Sequence, residues 1–228
     1  FPLTWRLSGE CEINCSPPRE QQVLSNTNLF LKTPFAEAMR DLPIQCLDIG
    51  SRDDIEPDLL PIAFAVDAIG FEPDAAECER INQHPRAPWR SVRHIPAAIA
   101  GKSATQTLHV AQDPVSSSLL EPVVKFAERF NKTAHSTILD TVEVETFGLI
   151  NAIDKFDIPM PDFIKLDVEG VELDILRNAP EILLTAIAVK TEVAFPTLRI
   201  GQPPARTLDE FLTGHDFELM DIIRPAHW

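Results

Sequence analysis

Apolar and polar positions along this chain fall into short blocks of two kinds. Ile44 to Ile49, Val66 to Phe71 and Val92 to Ile99 are apolar runs of strand length, ending at Gly50, at Glu72-Pro73 and near Gly101. Thr105 to Val110 and Thr141 to Thr146 alternate with the two-residue period of half-buried strands. Phe163, Ile164 and Leu166 form a further buried run ending at Asp167, and Ala186 to Val193 and Phe217 to Ile223 complete the strands. Helical spacing lies between them: a helix starting near Pro57 and limited by Pro61, one over Asp74 to Asn82, one over Glu172 to Arg177 and one over Leu208 to Leu212. Strands alternating with helices predict βαβ units and an α/β fold on a mostly parallel sheet. Residues 1–43 read as an N-terminal extension and 44–228 as the domain proper. Pro17-Pro18 breaks the extension, Ser25 to Asn28 is turn-like, and Pro34 to Leu42 has the pattern of a short helix. The extension is expected to cover one edge or cleft of the domain.

The chain has 228 residues, 44% of them hydrophobic, enough to build the core of one domain of moderate size. Its formal charge of −15 argues against nucleic acid as a partner, because neutralising phosphates takes clustered Lys and Arg. The same charge disfavours an anionic membrane surface. No apolar run approaches the roughly 20 residues of a membrane span, and the start lacks the charged-then-apolar pattern of a signal peptide. Of the four cysteines, Cys46 sits in an apolar run. Cys11 and Cys15 are close together, but no second Cys/His pair with zinc spacing follows. The expectation is reduced cysteines in a cytoplasmic protein, with no metal site.

Two places carry candidate chemistry. After the first strand, Leu47-Asp48-Ile49-Gly50-Ser51-Arg52 makes a small-residue turn where a ligand can approach the backbone closely. The second strand ends at Glu72, 22 positions after Gly50, and an acid there can accept hydrogen bonds from both hydroxyls of a ribose. The pair places a nucleoside at the switch point of the sheet, although spacing alone leaves a nucleoside site and none equally open. The second place is Asp162-Phe163-Ile164-Lys165-Leu166-Asp167-Val168-Glu169-Gly170-Val171-Glu172, an apolar run that ends in acids, a glycine and a helix. Acids at the carboxyl end of such a strand face the crevice where open α/β sheets bind ligands.

These two segments resemble the FkbM family of S-adenosylmethionine-dependent methyltransferases. So do Ile69-Gly70-Phe71-Glu72-Pro73-Asp74, Ser116 to Leu120, Glu192-Val193-Ala194-Phe195, Gly201-Gln202-Pro203 and the ending His227-Trp228, in the family's order. The resemblance implies a Rossmann-like seven-stranded, mostly parallel sheet with an antiparallel last strand and helices on both faces. It implies S-adenosylmethionine as cofactor and methyl transfer to an oxygen of a small-molecule or glycan acceptor. Carried onto this chain, it puts Asp48, Gly50 and Ser51 in the loop under the methionine part of the cofactor. Glu72 would sit at the ribose, Ala98 and Ile99 near the adenine, and Asp167 and Glu169 between cofactor and acceptor. One departure stands out: Asp53 and Asp54 occupy positions where the family usually has glycines, which keeps a degenerate, non-catalytic binding or scaffold protein as the alternative.

Methyl transfer to a hydroxyl needs the acceptor aligned and its proton removed. Asp167, Glu169 and Glu192 all fall at strand ends on the ligand side and are the candidate catalytic carboxylates. A nicotinamide dehydrogenase is disfavoured, because the loop after Gly50 lacks the remaining glycines of a dinucleotide fingerprint. Ser116 to Ser118 reads as a flexible loop, and Phe195 to Pro204 as a long loop on the ligand side and a candidate lid.

Overall fold

The computed structural model describes residues 2–7, 30–52, 54–84 and 87–223. In chain order these form β1 (Pro2–Leu7), α1 (Pro34–Asp41), β2 (Ile44–Ile49), a 3-10 helix (Pro57–Ala65), β3 (Val66–Phe71), α2 (Ala75–Asn82), β4 (Ser91–Ile95), β5 (Ala98–Ala100) and β6 (Ala104–Ala111). There follow α3 (Val124–Arg129), β7 (Ile138–Gly148), α4 (Leu149–Phe156), β8 (Phe163–Leu166), α5 (Glu172–Arg177), β9 (Ala188–Glu192), α6 (Ala205–Thr213) and β10 (Phe217–Ile222). Cys11, Cys15, Asp53 and the ending His227-Trp228 lie outside the described residues.

The central sheet runs β10-β1-β9-β8-β2-β3-β4. Its five strands β9, β8, β2, β3 and β4 are parallel neighbours, the α/β core the alternation predicts. The expectation of an antiparallel last strand is corrected. β1 is antiparallel to both β9 and β10, so β10 runs in the direction of β9 and the reversed strand is the N-terminal one. β1 inserts between two strands whose own connection, through α6, carries the chain back to the same end of the sheet, as a parallel crossover must.

Both faces of the sheet are covered, because neighbouring residues on a strand point to opposite sides. Leu47, Ile49, Phe71, Ile164 and Leu166 pack with residues of α4, α5 and α6 in the larger cluster. Cys46, Val66, Ala68 and Phe163 point the other way and meet Leu59 and Ala63 of the 3-10 helix, with Trp89. Within the 3-10 helix over 57–65, Pro57 takes the first position, where no ladder donor is needed, and Pro61 removes a donor from its interior. Asp74 caps α2, its carboxylate accepting from the N–H groups of Ala76 and Glu77.

The predicted third strand over Val92 to Ile99 is two strands in two sheets. Pro96 ends the pairing of β4 with β3, and β5 turns away to pair with β7 in a smaller sheet, order β5-β7-β6. β6 and β7 form a long antiparallel ribbon there, with Leu108 opposite Val142 and Gln106 opposite Val144. Among the described residues, no helix is long and apolar enough to cross a membrane.

Candidate active site

A cavity of about 650 Å³ opens at the carboxyl ends of β2, β3 and β8 and is walled on one side by the β6–β7 ribbon. That volume holds a drug-sized ligand. Of the residues singled out by sequence, Gly50, Glu72, Ala98, Ile99, Asp167 and Glu169 line it. Asp48 and Ser51 lie beneath its floor instead: both are buried, and Ser51 packs against Gly70. Glu192 lines a different, much smaller hollow beside α6, about 20 Å³. Its carboxylate nevertheless approaches the other two, and one oxygen each of Asp167, Glu169 and Glu192 fall within 4.8 Å of one another.

The floor is built from backbone. The N–H groups of Gly50 and Ser51 both donate to the Phe71 carbonyl at 3.0 Å, and the Asp167 N–H donates to the Ile49 carbonyl at 2.9 Å. These bonds bring three strand ends together where a ligand would rest. Gly50 has φ +84°, and a Cβ placed on it would lie 1.9 Å from the Asp167 carbonyl oxygen. Only glycine fits that position.

Lys165 lines the cavity at its floor. Its Nζ donates to the Gly50 carbonyl at 2.8 Å and lies 3.1 Å from Asp48 Oδ1 and 3.7 Å from Asp167 Oδ2. Burial pulls the ammonium down, but Asp48 and Asp167 together hold its pKa above the ordinary lysine value. Burial raises the Asp48 carboxyl, with Lys165 opposing. The grip of Lys165 on Gly50 crosses 115 positions and left no sequence signal.

Glu72 accepts from the Asp74 N–H at 2.8 Å, and Arg52 Nη1 lies 4.0 Å from it. Burial raises its carboxyl despite both. Arg52 and Glu72 thus stand beside each other on the cavity wall. Asp54 turns away from the cavity: it is exposed, and its carboxylate accepts from the Ile55 N–H at 2.8 Å.

The acids around Asp167 have unequal surroundings. Glu169 has a left-handed backbone, φ +60°, and is paired with Arg199, which also donates to the Ser116 carbonyl at 3.0 Å. Burial raises the Glu169 carboxyl and Arg199 opposes the rise. Burial pushes Glu192 well up, and the charges of Glu169 and Asp167 push it further. Asp167 is the most open of the three, its side chain 45% exposed.

Two partners of this cluster were not among the candidate site residues. Arg199 comes from the loop after β9, which is strapped down rather than loose: Val123 donates to Leu198 and Ile200 to Glu121, each at 2.8 Å. Ser118 Oγ donates to the Glu169 carbonyl at 2.7 Å, tying the serine loop to the same turn. Glu172 is the other. Its buried carboxylate accepts from the Val168 N–H at 3.1 Å and the Gly170 N–H at 3.0 Å, clamping the turn that carries Glu169.

Burial takes the Glu172 carboxyl from 4.5 up to about 7, against those N–H donors. A carboxyl raised by folding stabilises the protein below its unfolded pKa, and that contribution is lost as pH rises through the folded value. The rise from 4.5 to about 7 corresponds to about 3 kcal/mol at about 1.4 kcal/mol per unit. Glu172→Gln keeps an acceptor but cannot ionise. Its unfolding free energy, measured by urea titration from pH 4 to 8, is expected to fall less steeply between pH 4.5 and 7 than that of the unsubstituted protein. Identical slopes would refute the assignment.

Comparison with known proteins agrees with this geometry. The profile of the methyltransferase FkbM domain matches residues 58–219, a span that includes Glu72, Asp167, Glu169, Glu192 and Arg199. No curated protein and no solved structure matches the chain. A match over more than half of its length, on a cavity at the carboxyl ends of parallel strands, means that the chain belongs to the FkbM methyltransferase family.

Proposed function

We propose that this protein is an S-adenosylmethionine-dependent O-methyltransferase acting on a hydroxyl of a sugar or secondary metabolite. The observation that carries the reading is the gathering, around one 650 Å³ cavity, of the Gly50 turn, Glu72 and Asp167 at the ends of three neighbouring strands. The residues suit the cofactor. Gly50 allows close approach to backbone, Glu72 presents a carboxylate to a ribose diol, and Ala98 and Ile99 offer a flat apolar wall to a purine. When bound, S-adenosylmethionine supplies the activated methyl group.

The protein's own work is alignment and one proton. Of the three candidate carboxylates, Asp167 is best suited to accept the acceptor's hydroxyl proton. It lines the cavity and is open to it, with the Lys165 ammonium 3.7 Å from its carboxylate. Glu169 is engaged by Arg199 and shapes the turn. Burial and neighbouring acids keep Glu192 protonated to higher pH, which suits it to donate a hydrogen bond rather than to take a proton.

Calorimetry with S-adenosylhomocysteine and NAD tests the reading. The expected result is micromolar binding of S-adenosylhomocysteine, none of NAD, and a loss of roughly tenfold to a hundredfold in Glu72→Ala, the worth of hydrogen bonds to a charged group. Absence of S-adenosylhomocysteine binding, or a Glu72→Ala variant that binds as before, overturns it.

A further inference from the structure

The β6–β7 ribbon is amphipathic across its two faces. Leu108, Val110, Val142 and Val144 all turn to the cavity, while Thr107 and Glu143 on the other face bond to each other at 2.7 Å in solvent. Val115 and Leu119, from the loop after β6, extend the apolar wall. Much of it is uncovered: Val115 is 51% exposed and Val142 37%. The ribbon is anchored at both ends of the site. Ala98 and Ile99 pair with Thr146 and Phe147 on the Glu72 side. His109 and Ser118 exchange backbone bonds at 2.8 and 3.2 Å, and Ser118 ties to Glu169 on the acid side. The apolar wall therefore runs from the presumed adenine position toward Asp167, beyond what the nucleoside needs.

Charge narrows the choice further. At the Asp167 end the cavity meets Asp167 and Glu169, with Glu192 close behind, and the nearby cations Lys165 and Arg199 are each already bonded to one of these acids or to Asp48. A phosphate or carboxylate brought there would meet Asp167 and Glu169 with Lys165 and Arg199 already engaged, and a free sugar would set most of its hydroxyls against the valines and leucines of this wall.

Resting on the methyltransferase reading above, we infer that the wall of Leu108, Val110, Val115, Leu119 and Val142 is the acceptor subsite, and that it takes an uncharged molecule with an apolar body and a hydroxyl directed at Asp167. Phosphorylated and nucleotide-linked sugars are rejected, and free sugars bind poorly.

The test is calorimetry with three probes, 2-naphthalenemethanol, its phosphate ester and glucose, each with and without saturating S-adenosylhomocysteine. The apolar alcohol is expected to bind at least about tenfold more tightly than either of the others. Val142→Asn is expected to weaken it about tenfold and to leave S-adenosylhomocysteine affinity unchanged, which also shows that the variant is folded. Tighter binding of the phosphate ester or of glucose overturns the inference and leaves the cofactor reading standing. So does a Val142→Asn variant that loses S-adenosylhomocysteine affinity instead, because the wall then belongs to the cofactor. Failure of S-adenosylhomocysteine to bind the unsubstituted protein removes the cofactor reading alone, since the probe preference is still read in its absence. Failure of all three probes to bind removes the subsite.

Discussion

Gly50→Ala is expected to cost about 2–5 kcal/mol of stability and to abolish measurable binding of S-adenosylhomocysteine. Two separate penalties combine. An alanine at φ +84° pays for a left-handed backbone, about 1–2 kcal/mol. Its Cβ also meets the Asp167 carbonyl oxygen at 1.9 Å and the carbonyl carbon at 2.9 Å. Neither side can yield easily. Gly50 is held by its N–H to Phe71, and Asp167 by its N–H to Ile49. Relief of the clash therefore means parting β2 from β8 where the cavity floor is made. Gly201→Ala separates the two penalties. Gly201 has nearly the same φ, +83°, but nothing lies within 4 Å of a Cβ placed there. It is expected to lose only the backbone share, about 1–2 kcal/mol. Thermal and urea unfolding of both variants check this, at roughly 2–4 °C per kcal/mol for a chain of this size. Equal losses in the two would mean that the crowding at Gly50 is not real.

The positions that gave the site away were those whose chemistry is local. A strand that ends in Gly50 and one that ends in Glu72 are readable because a turn needs its glycine and a carboxylate needs its strand end. The parallel core was readable for the same reason: Leu47, Ile49, Ile164 and Leu166 lie in short, mostly apolar runs of strand length. What escaped was set at a distance. The place of β1 depends on pairing with residues some 190 and 220 positions away, and Pro2 to Leu7 alone carries no such information. Helix α4 follows β7 directly at Gly148, with no side-chain cap to announce it, and ends at Asp157 in a left-handed conformation that usually marks a glycine. The apolar period of Leu149, Ala152 and Ile153 was there, but the strand ran straight into it. Arg199 reaches Glu169 over 30 residues, and Glu172, one helix turn past the strand, looked like an ordinary first-turn acid. Position on a strand identifies which acids gather; it does not say which of them is neutralised by a distant arginine.

Lys165→Met is expected to destabilise the protein by about 3–5 kcal/mol, the cost of leaving a buried charge without its partner. The register of the sheet explains why. Asp48 on β2, Lys165 on β8 and Lys190 on β9 stand side by side in one row. The two lysines tolerate each other because each has its own acids. Lys190 Nζ lies 2.7 Å from both Glu56 and Asp58, and Lys165 meets Asp48. Asp48 is wholly buried, and its remaining bond is from the Glu56 N–H at 2.8 Å. Removal of the ammonium leaves burial, which already raises the Asp48 carboxyl, unopposed by its main counter-charge. The folded pKa of Asp48 then climbs further above the unfolded one. By the sign of the linkage, the variant is most stable at low pH and loses stability as pH rises toward neutrality. Methionine matches the stem of lysine, so packing changes little and the loss is electrostatic. The double variant Asp48→Asn/Lys165→Met tests this directly. It removes the stranded charge and is expected to recover most of the lost stability and to flatten the pH dependence. It should not recover binding of S-adenosylhomocysteine, because the Gly50 carbonyl still lacks the donor that fixes it at 2.8 Å. A double variant as unstable as Lys165→Met would mean that Lys165 acts through packing, and full binding in either variant would mean that the Gly50 turn holds its shape without it.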